Sequence, residues 1–270
     1  MAEQIISPQN PLVKMAASLK QKKNRDKYGL FAVEGSRLAE EALKSGWPVE
    51  YCFFTAEDSQ NERAGKIIEM LQSRSCRMLQ ISRSLYDKIS DTEQGQGVIL
   101  LIKKRQADIK AVFNNKETSL LIVLDELQDP GNVGTVIRTA DAAGCDGVIL
   151  TPGCADLFSG KTIRASMGSL FHLPVVEAMP KSAVISMLRE KKIKLAATAL
   201  NDADIYFEAD LRDSLAIILG NEGQGVSDEM LSAAAVKLHI PLYGQAESLN
   251  VAASAAVILY EAARQRRVNL

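Results

Sequence analysis

Continuous apolar runs that alternate with helix-forming segments constrain the fold of this chain more than any other feature of its sequence. In the second half, residues 120–124 and 215–219 consist of Leu, Ile, Val and Ala alone, which is typical of strands buried on both faces. Segments with helical periodicity stand between such runs. This alternation predicts a mostly parallel α/β sheet covered by helices on both faces.

The first part of the chain shows a similar alternation on a smaller scale. Its predicted strands lie at 28–33, 50–55, 77–81 and 97–102, and its predicted helices at 36–44, 62–73 and 84–89. We interpret residues 1–105 as a small α/β domain. The polar stretch 106–118 is predicted to be a linker, and residues 119–270 to form the second domain.

The second domain is predicted to continue the alternation to the end of the chain. Its expected strands lie at 120–124, 147–150, 173–176, 194–199, 215–219 and 237–240. Its expected helices lie at 133–143, 160–169, 183–191, 228–235 and 249–267. The sequence contains no internal repeat, which argues against a solenoid.

Composition places the chain among globular proteins, because 47% of its residues are hydrophobic and 24% are charged. No apolar run is long enough to span a bilayer, and the first residues lack the pattern of a signal peptide, so we expect a cytoplasmic protein. The four cysteines form no C-x-x-C pair, and there are only two histidines. We therefore expect reduced thiols and no metal site.

The formal net charge is −1, but the charges are unevenly distributed. Residues 1–105 carry 17 Lys and Arg against 13 Asp and Glu, whereas residues 106–270 carry 15 against 20. The basic excess is concentrated near the start, at Lys14, Lys20, Lys22, Lys23, Arg25 and Lys27. Such a cluster either neutralises nucleic-acid phosphates or forms a solvated helix face, and charge alone favours neither.

Three short polar segments follow predicted strands of the second domain. They are D-P-G-N-V-G at 129–134, running on to Arg138; G-N-E-G-Q-G at 220–225; and I-P-L at 240–242, leading to S-L-N at 248–250. In open α/β sheets, ligands bind at the carboxyl ends of the strands. Five side chains of these segments suit holding a polar ligand and orienting a hydroxyl group: Asn132, Arg138, Glu222, Ser248 and Asn250.

The glycine-rich segment matches neither common nucleotide-binding loop. Gly225 is followed by Val226 and Ser227 rather than by the Lys and Ser/Thr of a P-loop. The spacing G-x-x-G-x-G also differs from the dinucleotide fingerprint. The segment is either a plain tight turn or a loop whose backbone closely approaches a ligand.

The two histidines are too few to build a Ser–His–Asp catalytic set, and His239 is expected to be a core or surface residue.

Some of the candidate residues also have ordinary structural interpretations. Ser248 stands where the N-cap of the last helix is expected, with Asn250 in the first turn. Arg138 follows Asn132 by under two helical turns, so both can face the same end of the sheet. Its guanidinium group suits a phosphate, although spacing equally supports an Arg lying along its own helix.

The three segments, in this order and spacing, resemble the motifs of the SpoU (TrmH-like) family of RNA ribose 2′-O-methyltransferases. The patterns D-P-G-N-V-G-x-x-x-R, G-N-E-G-x-G and S-L-N-V-A-A-S carry the resemblance over residues 120–267. The first domain resembles the family's substrate-binding domain, which is similar to the RNA-binding ribosomal protein L30e/L7Ae fold. The segments I-S-P-Q-N-P at 6–11 and F-A-V-E-G at 31–35 carry this second resemblance. It favours RNA as the partner of the basic cluster.

The resemblance implies S-adenosylmethionine as the cofactor. Its pocket is formed in this family by a carboxyl-terminal trefoil knot, which general topology rules would reject. Cofactor contacts are implied at Leu200, Gly220, Ile240 and Leu249. The resemblance further implies a homodimer formed through the carboxyl-terminal domain, where the alanine-rich last helix suits close packing.

The implied reaction is in-line transfer of a sulfonium methyl group to a ribose 2′-hydroxyl, which requires alignment of the reacting atoms and removal of a proton. We expect Arg138 to anchor an RNA phosphate and orient the hydroxyl, because Arg stays protonated in proteins and is a poor base. Glu222 is expected either to position Arg138 or to receive the proton. Asn132, Ser248 and Asn250 are expected to complete the site by hydrogen bonding.

The expected substrate is ribosomal RNA, with the large subunit favoured. One alternative is a transfer RNA ribose methyltransferase. Another, of a different class, is an RNA-binding protein that has kept the fold and lost catalysis.

Overall fold

The structure, a computed structural model, describes residues 2–74, 76–92, 95, 97–113 and 118–267. The chain divides into two compact units. The first comprises Met1–Arg105 together with Phe158–Arg164, and the second comprises Gln106–Leu157 and Ala165–Leu270. The return of a short segment from the second half of the chain to the first unit is absent from the predicted boundaries.

The first unit is built on a five-stranded sheet with the order β1-β4-β3-β5-β2. Its strands are β1 (Glu3–Ile5), β2 (Leu30–Glu34), β3 (Val49–Phe54), β4 (Arg77–Ile81) and β5 (Val98–Lys103). Its helices are α1 (Pro11–Ser18), α2 (Lys22–Tyr28), α3 (Ser36–Lys44), α4 (Ala56–Gln60), α5 (Glu62–Gln72) and α6 (Arg83–Ile89). Strand β5 runs antiparallel to β2 and β3, whereas β4 runs parallel to β1 and β3.

The segment that returns to the first unit inserts an aromatic ring into its core. Phe158 is only 2% exposed, and its ring centroid lies 4.8 Å from that of Phe31 and 6.4 Å from that of Trp47. The Nζ atom of Lys104 lies 4.9 Å from the centre of the Phe158 ring, within cation–π range. Phe158 therefore belongs to the core of the first unit.

The predicted strand at 28–33 begins too early, because Tyr28 is the last residue of α2. Gly29 follows with φ of +63°, and its N–H donates to the carbonyl of Arg25. A left-handed residue at this position ends a helix, and glycine adopts that conformation without steric cost. The strand therefore starts at Leu30.

The second unit contains a seven-stranded sheet with the order β10-β12-β9-β11-β6-β7-β8, in which every neighbouring pair is parallel. Its strands are β6 (Leu120–Leu124), β7 (Gly147–Leu150), β8 (Val175–Val176), β9 (Lys194–Thr198), β10 (Asp204–Ile205), β11 (Leu215–Leu219) and β12 (Val236–His239). Its helices are α7 (Pro130–Ala143), α9 (Lys181–Glu190), α10 (Asp228–Ala233) and α11 (Val251–Arg267). Helix α8 (Gly160–Ser166) spans the point at which the chain passes from the first unit to the second.

The centre of this sheet confirms the predicted α/β class with a mostly parallel sheet. All five residues of β6 and all five of β11 are buried, and the two strands pair in register from Leu120–Leu215 to Leu124–Leu219. Burial on both faces explains why these strands are apolar at every position.

Several predicted boundaries shift for local reasons. Helix α7 begins at Pro130 rather than at residue 133, because Asp129 caps it through a 2.9 Å bond from the Asn132 N–H to Oδ1 and Pro fits the first helical position. The helix predicted at 160–169 ends at Ser166, next to Met167 with φ of +49°. The two-residue edge strand β10 was not predicted.

The described part of the predicted linker belongs to the second unit. Residues Ile109–Val112 form a 3-10 turn, and Val112 is fully buried in a core cluster with Leu121 and Ile149. Residues 114–117 of the predicted linker lie outside the described residues.

Within the described ranges, no helix has the length and apolar character needed to cross a membrane. The four cysteines form no disulfide: Cys52 and Cys145 are buried, and Cys76 and Cys154 are half-buried. Burial raises the pKa of the Cys52 thiol, so this side chain is an unreactive part of the core.

Candidate active site

A cavity of about 740 Å³ opens in the second unit at the carboxyl ends of its central strands, within the size range of small-molecule sites. The four residues predicted to contact a cofactor all line it: Leu200 after β9, Gly220 after β11, Ile240 after β12 and Leu249 before α11. Leu200 and Leu249 are 64% and 41% exposed. The structure therefore brings together residues that lie up to 49 positions apart in the sequence.

The loop after β11 forms one wall of the cavity and is held in a tight turn. Asn221 and Gly225 exchange two backbone hydrogen bonds of 2.9 Å, and Gly225 has φ of +73°. A Cβ atom on Gly220 would overlap the backbone of Gly225 and Val226. Gly220 thus allows the two ends of the turn to meet.

Glu222, at the tip of this turn, joins the β11 loop to the loop after β6. Its carboxylate accepts hydrogen bonds from the N–H of Gln128 at 3.2 Å, from the N–H of Asp129 at 3.1 Å and from Nδ2 of Asn132 at 3.0 Å. Partial burial acts to raise the pKa of Glu222, but these hydrogen bonds outweigh it and hold the pKa below its usual value. Glu222 is therefore an ionised hydrogen-bond acceptor.

Asn132 extends this contact to the third loop. Its Oδ1 accepts a 3.0 Å bond from Nδ2 of Asn250, whose own Oδ1 accepts a 2.9 Å bond from the N–H of Ala252. A carboxylate only accepts, so Asn132 must turn its NH₂ group to Glu222 and its oxygen to Asn250. We call the hydrogen-bonded residues Glu222, Asn132 and Asn250 the relay. The donor and the acceptor of each bond between them are thereby fixed.

The relay shows that the prediction of Ser248 as the N-cap of the last helix is wrong. Helix α11 begins at Val251, and Asn250 caps it through the bond from Ala252. Ser248 is an exposed residue that lines the cavity, so its hydroxyl group is left available to a ligand.

Arg138 lies on α7, six residues and under two turns beyond Asn132, and its side chain is exposed. The structure shows no hydrogen bond or ion pair from Arg138 to any described residue. Glu222 contacts Asn132 instead, so the expectation that Glu222 positions Arg138 directly is not met. Arg138 therefore presents, on the helix that carries Asn132, a guanidinium group with no carboxylate partner among the described residues.

The SpoU rRNA Methylase family model matches residues 119–260, and the MRM3-like substrate binding domain model matches residues 10–100. The chain is 40% identical over 264 residues to the 23S rRNA (guanosine(2553)-2′-O)-methyltransferase RlmP of Bacillus subtilis, covering 96% of this chain and 98% of that protein. The chain belongs to the SpoU rRNA methylase family.

Solved structures agree with the family over the whole chain. The AdoMet-bound rRNA methyltransferase from Sinorhizobium meliloti superimposes with a TM-score of 0.89 at 31% identity, covering 100% of this chain and 99% of that one. The SpoU methyltransferase AviRb from Streptomyces viridochromogenes, in complex with AdoMet, gives 0.88 at 28% identity, with coverage of 96% and 99%. The predicted family and enzyme class are confirmed.

The sequence analysis missed two residues that support this site. Asn221 donates from Nδ2 to the carbonyl of Glu126 at 2.9 Å, and its Oδ1 accepts from the N–H of Gly223 at 2.9 Å. Asp125, which directly follows β6, is 1% exposed. A charged residue at the end of a fully apolar strand was the signal available for Asp125, and the G-N-E-G segment itself was the signal for Asn221.

In the first unit, five of the six basic residues predicted to bind RNA are exposed: Lys14, Lys20, Lys22, Lys23 and Lys27. Arg25 is the exception, and its assignment to the RNA surface is corrected. It is 4% exposed, and its guanidinium group donates to the carbonyls of Leu19 at 2.6 Å and Lys20 at 2.9 Å. Arg25 therefore stabilises the connection between α1 and α2, and its buried guanidinium group is not available to bind a phosphate.

Two of the exposed lysines already have contacts within the unit. The Nζ atom of Lys22 lies 2.7 Å from Asp26, which also accepts a 2.6 Å bond from Lys104. The hydrogen bonds from Lys104 and Lys22 lower the pKa of Asp26 to about 2. Lys20 donates to the carbonyl of Ser90 at 2.6 Å. Lys14, Lys23 and Lys27 are the exposed cations of the cluster with no carboxylate partner in the described chain.

Proposed function

We propose that this chain transfers a methyl group from S-adenosylmethionine to a ribose 2′-hydroxyl group of 23S ribosomal RNA. The observation that carries the proposal is the relay, which ties all three family motifs to the rim of one cavity. The relative from Bacillus subtilis that spans nearly the whole chain is named as a 23S rRNA 2′-O-methyltransferase, which supports the large-subunit substrate over transfer RNA.

The cavity fits the proposed cofactor. Apolar side chains at its mouth, including Leu200, Ile240 and Leu249, suit the faces of a purine, and the backbone of Gly220–Gly225 offers N–H and C=O groups at close range. Glu222 and Glu247, which also line it, suit a positively charged group. When bound, S-adenosylmethionine supplies a methyl carbon activated by its sulfonium charge. We propose Leu200, Gly220, Ile240 and Leu249 as its contacts.

Replacing Gly220 with Ala tests the cavity wall. We expect the free energy of unfolding to fall by about 1–3 kcal/mol, because the new Cβ forces the turn apart. The dissociation constant for S-adenosylmethionine, measured by calorimetry, should rise by about tenfold or more for the same reason.

The matched control for this change is Gly223→Ala in the same turn. A Cβ atom there would meet only the Oδ1 atom of Asn221, at 3.6 Å, which is an ordinary contact. Equal losses in both variants would show that the turn tolerates no change at all, and would contradict the specific role of Gly220.

We propose the following chemical roles for the residues of the site. Arg138 binds the phosphate next to the target ribose and orients the 2′-hydroxyl group. Glu222 does not act as the base, because its lowered pKa and three hydrogen bonds make it a weak proton acceptor. It fixes Asn132, and through it Asn250, which lines the cavity. Ser248 supplies a hydroxyl group at the rim.

Several finer features belong to the same proposal. We propose that residues 1–105 form the RNA substrate-binding domain, that 106–118 connect it, and that 119–270 form the methyltransferase domain with a trefoil knot. Strand β12 lies between β9 and β10 in the sheet, and α11, the next helix in the chain, packs on α7. This arrangement supports a chain that is threaded through itself. We also propose a homodimer through α11, whose alanine-rich sequence suits close packing and on which Tyr260 is 55% exposed. The cytoplasm is the proposed location.

The experiment that tests the function uses the full-length protein, labelled S-adenosylmethionine, and unmodified 23S rRNA and transfer RNA as separate substrates. We expect label in 23S rRNA at a single position that resists alkaline cleavage, which identifies a 2′-O-methyl group. Label in transfer RNA alone, or in a base, would overturn the proposal. Binding of both ligands without transfer would instead favour an RNA-binding protein that has lost catalysis.

The RNA-binding surface of the first unit is tested by the triple variant Lys14→Met, Lys23→Met and Lys27→Met. Because each lysine that contacts a phosphate releases counterions, the slope of log affinity against log salt should become shallower by about 2 for the loss of three contacts. Filter binding of rRNA between low and moderate salt gives this slope.

A control with the same change in charge is Lys44→Met, Lys66→Met and Lys88→Met, on α3, α5 and α6 of the same unit. If both triple variants change the slope equally, binding depends on net charge, and the assignment of the basic cluster is wrong.

A further inference from the structure

Asp125 is a buried carboxylate that the roles proposed above leave unused. Its side chain is 1% exposed at the end of β6. One oxygen accepts a 2.8 Å bond from the N–H of Ser227, and the other lies 3.4 Å from Oγ1 of Thr151. Burying a carboxylate is costly unless it is paired and hydrogen-bonded. Asp125 therefore requires a cation.

Lys181 supplies that cation from a distant part of the chain. It is the first residue of α9, its side chain is 15% exposed, and Nζ lies 3.1 Å from Oδ1 of Asp125. The same Nζ lies 2.6 Å from Oε1 of Glu126. The first turn of a helix disfavours a positive charge, so the two carboxylates, rather than the helix, account for a lysine at this position.

The two acidic residues hold opposite ends of the turn that carries Glu222. At one end, Asn221 donates to the backbone carbonyl of Glu126 at 2.9 Å. At the other, the N–H of Ser227 donates to Asp125 at 2.8 Å. Glu126 itself has φ of +56°, a conformation that a non-glycine residue keeps only when its surroundings enforce it. The ion pairs of Lys181 fix both anchors of the turn at once.

We propose that Lys181 is a positioning residue for the methyl donor. Its ammonium group holds Asp125 and Glu126 in place, and they hold the Gly220–Val226 turn against the cavity. Lys181 does not line the cavity and acts only through these two residues. The inference rests on the proposed function, because the donor is the ligand that the turn would bind.

The test measures S-adenosylmethionine binding by calorimetry in full-length Lys181→Met. We expect the dissociation constant to rise by about tenfold, because a buried Asp125 without its cation either takes up a proton or turns toward water, and both changes weaken its bond to the N–H of Ser227. The double variant Asp125→Asn with Lys181→Met should return to within about threefold of wild type, since Asn keeps an oxygen for Ser227 and needs no cation. Amide exchange at Ser227 should quicken in the single variant and slow again in the double.

Lys194→Met is the matched control, because Lys194 forms an exposed pair with Asp213 at 2.6 Å in the same unit. Its binding constant should equal that of wild type. Unchanged binding in Lys181→Met, or a double variant that is folded but binds as weakly as the single, would overturn the positioning role. Failure of the wild type itself to bind S-adenosylmethionine would instead refute the proposed function, so the two failures are distinct.

Discussion

Arg138→Ala is expected to lower kcat for methyl transfer by about 100- to 1,000-fold, the loss typical of removing one group that stabilises or aligns the reacting centre. The dissociation constant for S-adenosylmethionine should stay unchanged, because Arg138 does not line the cavity. Arg138→Lys should recover only part of the rate, since an ammonium group lacks the planar fork that grips a phosphate. Single-turnover methylation of rRNA, with calorimetry of the cofactor, separates the two effects.

The control is Arg189→Ala, another exposed arginine on a helix of the same unit. It should methylate at the wild-type rate. Equal losses in the two variants would mean that overall positive charge, and not the position of Arg138 on α7, governs the reaction.

Asn132→Asp is expected to be more damaging than Asn132→Ala, although Asp is closer in shape to Asn. The change places a second carboxylate where Nδ2 of Asn132 now lies, 3.0 Å from Glu222. Two carboxylates at this distance do not both ionise readily, and the apparent pKa of the pair rises. We expect a fall in kcat of about 100-fold or more at pH 8.

The pH dependence of Asn132→Asp provides the decisive measurement. Protonation of one carboxyl restores a donor to the other, so the rate relative to wild type should increase as pH falls from about 8 to about 6. Asn132→Ala has no such group and should keep a constant ratio over that range. Parallel profiles for the two variants would contradict the relay.

The sequence was sufficient to predict which segments come together at the candidate site, because that prediction depended on local patterns. Apolar runs such as 120–124 and 215–219 identify buried parallel strands, and the polar segments after them must then meet at one edge of the sheet. The family resemblance added the chemistry. These inferences required no knowledge of which side chains touch.

The contacts between individual side chains could not be predicted from the sequence, because they join residues that are far apart in the chain. Asn132 meets Glu222 across 90 positions and Asn250 across 118. Both Ser248 and Asn250 are good N-cap types, and only tertiary structure selects Asn250. Arg25 looks like any surface cation in a basic run, yet the carbonyls at the end of α1 draw it inward. Lys181 carried no sequence signal, since its partners lie in another loop.

The burial of Phe158 in the first unit affects how the chain can be dissected. A fragment cut at residue 105 would leave a hole where that ring contacts Phe31 and Trp47, exposing aromatic surface to water. The complementary fragment would carry the orphaned ring. If the first unit is excised or exchanged as a separate domain, another side chain must therefore replace the ring of Phe158. A chimaera joined only at residue 105 is expected to be unstable.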